Sequence, residues 1–202
     1  GGVMARFSAL PTWWVRQLGL AAFDGQAQAG GSIAALKVLM ALSVLMNFHT
    51  RKARNSFTDL EAMTGLSRPM VQRGVEILES RRILSVDRRG HVNEYELTSS
   101  NKDAGWAKLP YDKMRKHLPE LSNRGAIPLA AMKIYLLLAA WRPNESTSLS
   151  ASHETIRDAT GVQKRHIRPA LDILYSHSLI QLNLREMEQE KWRHNVYTLL
   201  GL

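Results

Sequence analysis

The 202-residue chain contains no cysteine. That excludes a disulfide framework and any Cys-ligated zinc or iron–sulfur site, and it fits a reducing cytoplasm. There is also no uncharged apolar run of about 18 residues, the length a membrane-spanning helix needs. The nearest approach, IAALKVLMALSVLMNF at 33–48, carries Lys37 and follows no secretory n-region, so a buried helix accounts for it better. A phosphate-binding Walker loop is missing, because Gly30-Gly31-Ser32 lacks the Gly-Lys-Ser/Thr finish. The seven histidines are scattered, with no HExxH and no His-hydrophobic-His pair of the kind that nicking relaxases use. Tyr95 and Tyr197 fall in strand-like stretches where packing is the expected role. The expectation is a chain without catalytic residues, cofactor or metal, and not an enzyme.

What the chain does have is positive charge. Its 27 Lys and Arg against 18 Asp and Glu give a net charge of +9. The excess is spread evenly: residues 1–102 hold 13 basic and 8 acidic residues, a net of +5, and the remainder 14 and 10, a net of +4. A basic body without a basic tail favours a polyanionic partner, nucleic acid before anionic membrane. The 45% hydrophobic fraction supplies an ordinary buried core.

The chain also repeats itself. Ala34-Ala35-Leu36-Lys37-Val38 aligns with Ala130-Ala131-Met132-Lys133-Ile134 at an offset of 96. The same offset sets Thr64-Gly65 on Thr160-Gly161, Val71 on Ile167, Val75 on Leu171 and Leu78 on Leu174. Phe7-Ser8-Ala9-Leu10-Pro11 resembles Trp106-Ala107-Lys108-Leu109-Pro110 at 99, and Asn93–Leu97 resembles Asn195–Leu199 at 102. Two lobes follow, 3–98 and 106–202, joined by the polar stretch 99–105.

Each lobe has one order of elements. A Leu-Pro segment leads into a helix whose first turn suits the proline. A long apolar helix follows, 33–48 and then 128–141, hydrophobic nearly all round and therefore central. Next, Thr58-Asp59-Leu60-Glu61 has capping-box spacing, with Thr58 and Glu61 as the pair. Gly65 ends that short helix by permitting positive φ. Ser67 caps the next, 68–80, with Pro69 in its first turn. Val71, Val75 and Leu78 form its apolar face. Ile83–Val86 and Val92–Leu97 then alternate like strands around the turn Asp87-Arg88-Arg89-Gly90. The predicted fold is mainly α with small β-hairpins: two tandem winged helix-turn-helix domains related by internal duplication.

That fold places the N-terminal part of its second helix against base edges in the major groove. In lobe one this brings forward Ser67, Arg68, Pro69, Gln72 and Arg73, where Arg can read guanine and Gln adenine. Arg88, Arg89 and His91 sit at the wing tip, within reach of backbone or minor groove. Arg51, Lys52 and Arg54, in a loop before the short helix, form a phosphate clamp. Lobe two offers Gln163, Lys164, Arg165, His166 and Arg168. It departs from lobe one at Pro169, which requires a late helix start near His166 or a bend. Its wing, Arg185 to Trp192, is longer and carries Glu186, Glu188 and Glu190, a poor phosphate contact. Lobe one is therefore the better expected DNA reader.

With these segments in hand — Leu-Pro, Ala-Ala-Leu-Lys-Val-Leu, Leu-x-x-x-Thr-Gly-Leu-Ser, then Val-x-x-x-x-x-Ile-Leu and a hairpin — the chain resembles the winged-helix replication initiators of plasmids and phages. The resemblance covers nearly the whole chain in architecture, but its motifs are at pattern level, shared with MarR-like and GntR-like transcription regulators. It implies double-stranded DNA as partner, one lobe per successive major groove on repeated origin sites. It also implies host replication proteins, a helicase or its loader, as further partners, and self-association on DNA. Two other readings stand beside it. One is a promoter-binding regulator with its lobes as a pseudo-dimer. The other is a protein-docking module, for which Trp13-Trp14, Trp192 and the acidic second wing speak, although core packing is the plainer role for the tryptophans.

Overall fold

Two helices, each apolar on every side, set the architecture. The computed structural model describes residues 7–99, 105–185 and 194–202. The first long helix, α2, spans Ala29–Leu45 with thirteen of its seventeen residues buried. Its counterpart α6 spans Ala126–Trp141. Helices buried this thoroughly must be central, and α2 and α6 pack on each other as well as on their own neighbours. None of the described helices is long and apolar enough to cross a membrane.

The elements preceding them run β1 (Phe7–Pro11) and α1 (Trp13–Arg16) in the first half, β5 (Trp106–Pro110), α5 (Tyr111–His117) and a 3-10 turn (Leu118–Glu120) in the second. The Leu-Pro segments are strands, not helix starts. β1 and β5 pair antiparallel with each other, Phe7 opposite Pro110, Ala9 opposite Lys108 and Pro11 opposite Trp106. Proline is tolerated because each sits at the end of its strand. Each strand thus pairs with its own look-alike. Thr12 extends the pairing, its amide (3.0 Å) and hydroxyl (2.7 Å) both donating to the Gly105 carbonyl.

After α2 come β2 (Lys52–Arg54), α3 (Phe57–Thr64), α4 (Arg68–Ser80), β3 (Leu84–Asp87) and β4 (Glu94–Leu97). After α6 come β6 (Ser148–Ala151), α7 (His153–Thr160), α8 (Lys164–Ser176), β7 (Ile180–Arg185) and β8 (His194–Leu199). Helices α3 and α7 stand 96 residues apart at both ends, and so do α4 and α8. Each half closes with a three-stranded antiparallel sheet, β2-β4-β3 and β6-β8-β7. The chain is therefore mainly helical with small antiparallel sheets. The hairpin in the first half is shorter than its alternation suggests, since β4 begins at Glu94 and not at Val92.

Buried lysines tie the halves together. Lys37 in α2 donates to the Thr64 carbonyl of its own half (2.9 Å) and to the Leu121 carbonyl of the other (2.6 Å). Its equivalent Lys133 in α6 donates to the Phe23 carbonyl across the boundary (3.0 Å). Burial pushes both amines down to about 8. The Lys37 amine meets that burial with two carbonyl acceptors, one from each half.

Several sequence expectations need correcting here. The capping box of α3 is Ser56 with Asp59, because the helix begins one residue before Thr58: the Ser56 hydroxyl accepts from the Asp59 amide (3.1 Å) and the Asp59 carboxylate from the Ser56 amide (3.0 Å). Ser67 is the N-cap residue of α4, but its hydroxyl makes no capping bond. Helix α8 neither starts late nor waits for Pro169; it begins at Lys164 and carries the proline inside. The ring displaces only the bond to the Arg165 carbonyl, and Arg165 is exposed, so water can take the place of the missing N–H. The stretch 52–54 is strand β2, paired with β4, and not a loop. Trp14 is core, its indole N–H held by the Pro11 carbonyl at 2.9 Å, and the Trp13 indole donates to the Thr98 carbonyl at 2.7 Å. Trp192 and the acidic wing tip at 186–193 lie outside the described residues, as does most of the link, 100–104.

Candidate nucleic-acid interface

The turn between α3 and α4 aims the second helix, and its geometry is determined by three residues. Gly65 has φ 71°, a left-handed conformation that costs a glycine nothing. The Thr64 hydroxyl donates to the Leu60 carbonyl (2.6 Å) and accepts from the Leu66 amide (3.2 Å), bridging the corner. In the other half Gly161 has φ 69°, and Thr160 bonds Ile156 and Val162 at the same two distances, 2.6 and 3.2 Å. The corners also dock across the boundary. A Cβ on Gly65 would lie 2.7 Å from the Pro119 carbonyl oxygen, one on Gly161 3.3 Å from the Ala21 Cβ.

Beyond the corner, Ser67, Arg68, Pro69, Gln72 and Arg73 are all exposed on one end of α4. Arg68 stacks over Phe57 with its guanidinium 5.3 Å from the ring centroid. Gln72 is in weak contact with Glu76 at 3.4 Å. On α8, Gln163, Lys164, Arg165 and Arg168 are exposed and His166 is half-buried. Arg165 donates to the Gln163 side chain at 2.9 Å. Among the described residues, Lys164, Arg165 and Arg168 form no ion pair, and neither do Arg68 and Arg73.

The wing of the first half is different. Arg88 folds back on α4, both of its terminal nitrogens bonding the Glu79 carboxylate, which raises the guanidinium's affinity for its proton further. Arg89 grips Asp87 (2.7 Å) and holds that carboxyl far below the usual range. Both arginines take part in the wing's own ion pairs, yet the Arg89 side chain stays 91% exposed and that of Arg88 53%, and His91 is exposed beside them. The reason for the pairing is local: Asp87 and Glu79 are the nearest anions to two long cationic side chains in a six-residue turn.

The expected phosphate clamp is dispersed. Arg51 has its guanidinium 4.0 Å from the Trp106 ring and 5.7 Å from Phe48, at the boundary between the halves. Lys52 pairs loosely with Glu94 (3.7 Å). Arg54 is exposed on β2 opposite Glu94. Strand alternation keeps Lys52 and Arg54 on one face with Ala53 buried on the other, so it is Arg51, ahead of the strand and stacked on Trp106, that stands apart. Among the described residues no group of three His, Asp or Glu is placed to hold a metal ion. Phe57 and His153, which shape the ground under α4 and α8, were missed; the offset of 96 points to both once carried back beyond Thr64.

The architecture defined so far is a chain of two basic halves, each presenting the start of a helix beside a small sheet. No protein-family model and no curated protein matches the sequence. Among solved structures the chain is similar to the Pi initiator protein, whose crystal structure is in complex with iteron DNA. That likeness has a TM-score of 0.50 at 9% sequence identity and covers 98% of each chain. At that identity the shared property is the fold.

Proposed function

We propose that the chain is a sequence-specific double-stranded DNA-binding protein built from two tandem winged helix-turn-helix domains, 3–98 and 106–202, related by internal duplication. The observation that carries this reading is the pair of exposed, cationic helix starts, at Arg68 and Lys164, set by matching Thr-Gly corners. A duplicated chain holds both readers covalently, so it meets two half-sites without dimerising. Because Arg68-Pro69-Gln72-Arg73 differs from Lys164-Arg165-Arg168-Pro169, the site is a direct repeat or asymmetric.

Within that class the preferred role is replication initiation at repeated plasmid or phage origin sites. The fold shared with an initiator solved on iteron DNA supports it. Catalytic steps then fall to recruited host proteins, a helicase or its loader. Selection of bound sequences from random duplex tests the proposal. Clustered repeats near an origin are the expected outcome, and single sites overlapping promoters would make the chain a transcription regulator instead. Binding that is indifferent to salt would sink the DNA reading altogether, since phosphate contacts release counterions.

A further inference from the structure

An open pocket of about 450 Å³ lies between the starts of α7 and α8, lined by Ser152, His153, Glu154, Arg157 and Lys164. His153 is half-buried, and its Nε2 accepts from the Asn195 amide nitrogen at 3.1 Å. The same amide nitrogen also lies 3.3 Å from the Tyr197 hydroxyl. That arrangement uses the Nε2 lone pair and describes a neutral ring.

The surroundings oppose protonation in the free chain. Glu154 and Arg157 come from α7, Lys164 and Arg168 from α8, and Asn195 with the buried Tyr197 from β8. Burial, then Arg168, then Lys164 pushes the imidazole below its ordinary value. Glu154, and Asp158 paired with Arg157 at 3.8 Å, stand against Arg157, Lys164 and Arg168, so the group is one anion short. A backbone phosphate would supply one. The first half has nothing comparable: Phe57 occupies the position of His153, and Arg68 stacks on it.

We propose that this pocket takes a DNA backbone phosphate and that His153 gains a proton as the phosphate arrives. The second half then grips DNA more tightly as pH falls, and His153 is the source of that gain. The proposal rests on the DNA-binding reading above. The proton comes from solvent and goes to Nε2; Nδ1 keeps its hydrogen, and the Asn195 amide turns to offer its oxygen.

The test is a histidine-resolved NMR titration of the full chain, alone, with a mixed-sequence duplex, and with inorganic phosphate at matched ionic strength. His153 is expected to titrate below its ordinary value of 6.5 in the free chain and above it with duplex. Inorganic phosphate should leave it near the free value. Affinity should fall by about tenfold between about pH 5.5 and about pH 7.5. His153→Phe, which installs the first half's residue, should still bind and should lose that dependence. Duplex bound with His153 unmoved, an equal shift with phosphate alone, or a pH dependence undiminished in His153→Phe would each overturn the proposal. No binding at any pH would overturn the DNA reading and this proposal with it.

Discussion

The two halves of the chain share a backbone and differ in what they expose. Thr64 and Thr160 make the same pair of bonds, Gly65 and Gly161 the same left-handed turn. Even the unusual positive φ after the second helix recurs, 58° at Arg82 and 53° at Ser178. Against this, Arg68 corresponds to Lys164, Phe57 to His153, and Arg73 to Pro169. Positions that set the path of the chain are kept, and exposed positions at the helix starts have diverged. The distribution of bound charge diverges too. The first half spends its wing arginines on Glu79 and Asp87, whereas the second half's helix start has no carboxylate partner among the described residues.

The largest effect should come from breaking the second half's contact. Arg165→Ala and Arg168→Ala should each cost about 1–3 kcal/mol in DNA affinity, measured by anisotropy on a selected site. Arg88→Ala should cost less, because its guanidinium is already committed to Glu79 and not free for a phosphate. If Arg88→Ala costs more than either, the ion pair with Glu79 gives way on DNA and the first wing is a principal contact. Arg73→Ala discriminates further: about 1–3 kcal/mol at the specific site alone marks a base contact, an equal loss on all sequences a phosphate contact.

The next effect concerns what joins the halves. Lys37 and Lys133 have folded values near 8 against 10.5 in the unfolded chain. Above pH 8 the folded state sheds protons that the unfolded chain still binds, so stability rises with pH through that window. Burial raises Tyr95, Tyr135 and Tyr197; these groups withdraw stability once the unfolded chain begins to ionise near pH 10. Tm should therefore climb between pH 8 and 10, and Lys37→Met with Lys133→Met should flatten the climb. A Tm that falls across that range in the parent chain would show that burial does not lower the two lysines.

A smaller effect separates the helix pairs. A Cβ on Gly74 would lie 2.7 Å from the Ala34 carbonyl oxygen, where α4 crosses α2. The other half has Ala170 at that place, fully buried. Gly74→Ala should therefore destabilise by about 1–2 kcal/mol, overpacking exceeding the gain in helix propensity. Ala170→Gly should cost about 1 kcal/mol for the opposite reason. Thermal melts of the two variants compare them directly. A stabilised Gly74→Ala would mean that α2 and α4 can move apart freely.

Most of the fold was legible because apolar periodicity and the Thr-Gly corners are local signals, and the offset of 96 doubled each one. Helix α4 at 68–80 and the central position of α2 follow from them. The pairing of β1 with β5 was not legible: the repeat made the two segments look alike, and likeness alone does not say that they touch. Of the candidate site, the exposed helix starts were legible and the ion pairs of the wing were not. Ser67 through Arg73 follow directly from the corner, whereas the fate of Arg88 depends on Glu79 nine residues earlier, a contact that only the closed hairpin creates. Arg51 was misplaced for a related reason. Its partner Trp106 belongs to the other half, and no pattern within 51–54 points there.

The smallest stability effect bears most directly on the interface. Ser56 and Ser152 cap α3 and α7 through bonds of 3.1 Å to the third helical amide. Ser56→Ala or Ser152→Ala should cost about 1 kcal/mol in thermal or denaturant unfolding. Ser67 occupies the same position before α4 but leaves its hydroxyl out of any capping bond. Ser67→Ala should then change stability by less than about 0.5 kcal/mol. If that exposed helix start receives a phosphate, the same substitution should still weaken DNA binding, by several-fold and equally on all sequences. A loss of stability matching that of Ser56→Ala would show that the hydroxyl caps the helix in solution. A helix start already satisfied in that way has less to offer a phosphate, and the weight of recognition in the first half would then rest on Arg68, Gln72 and Arg73.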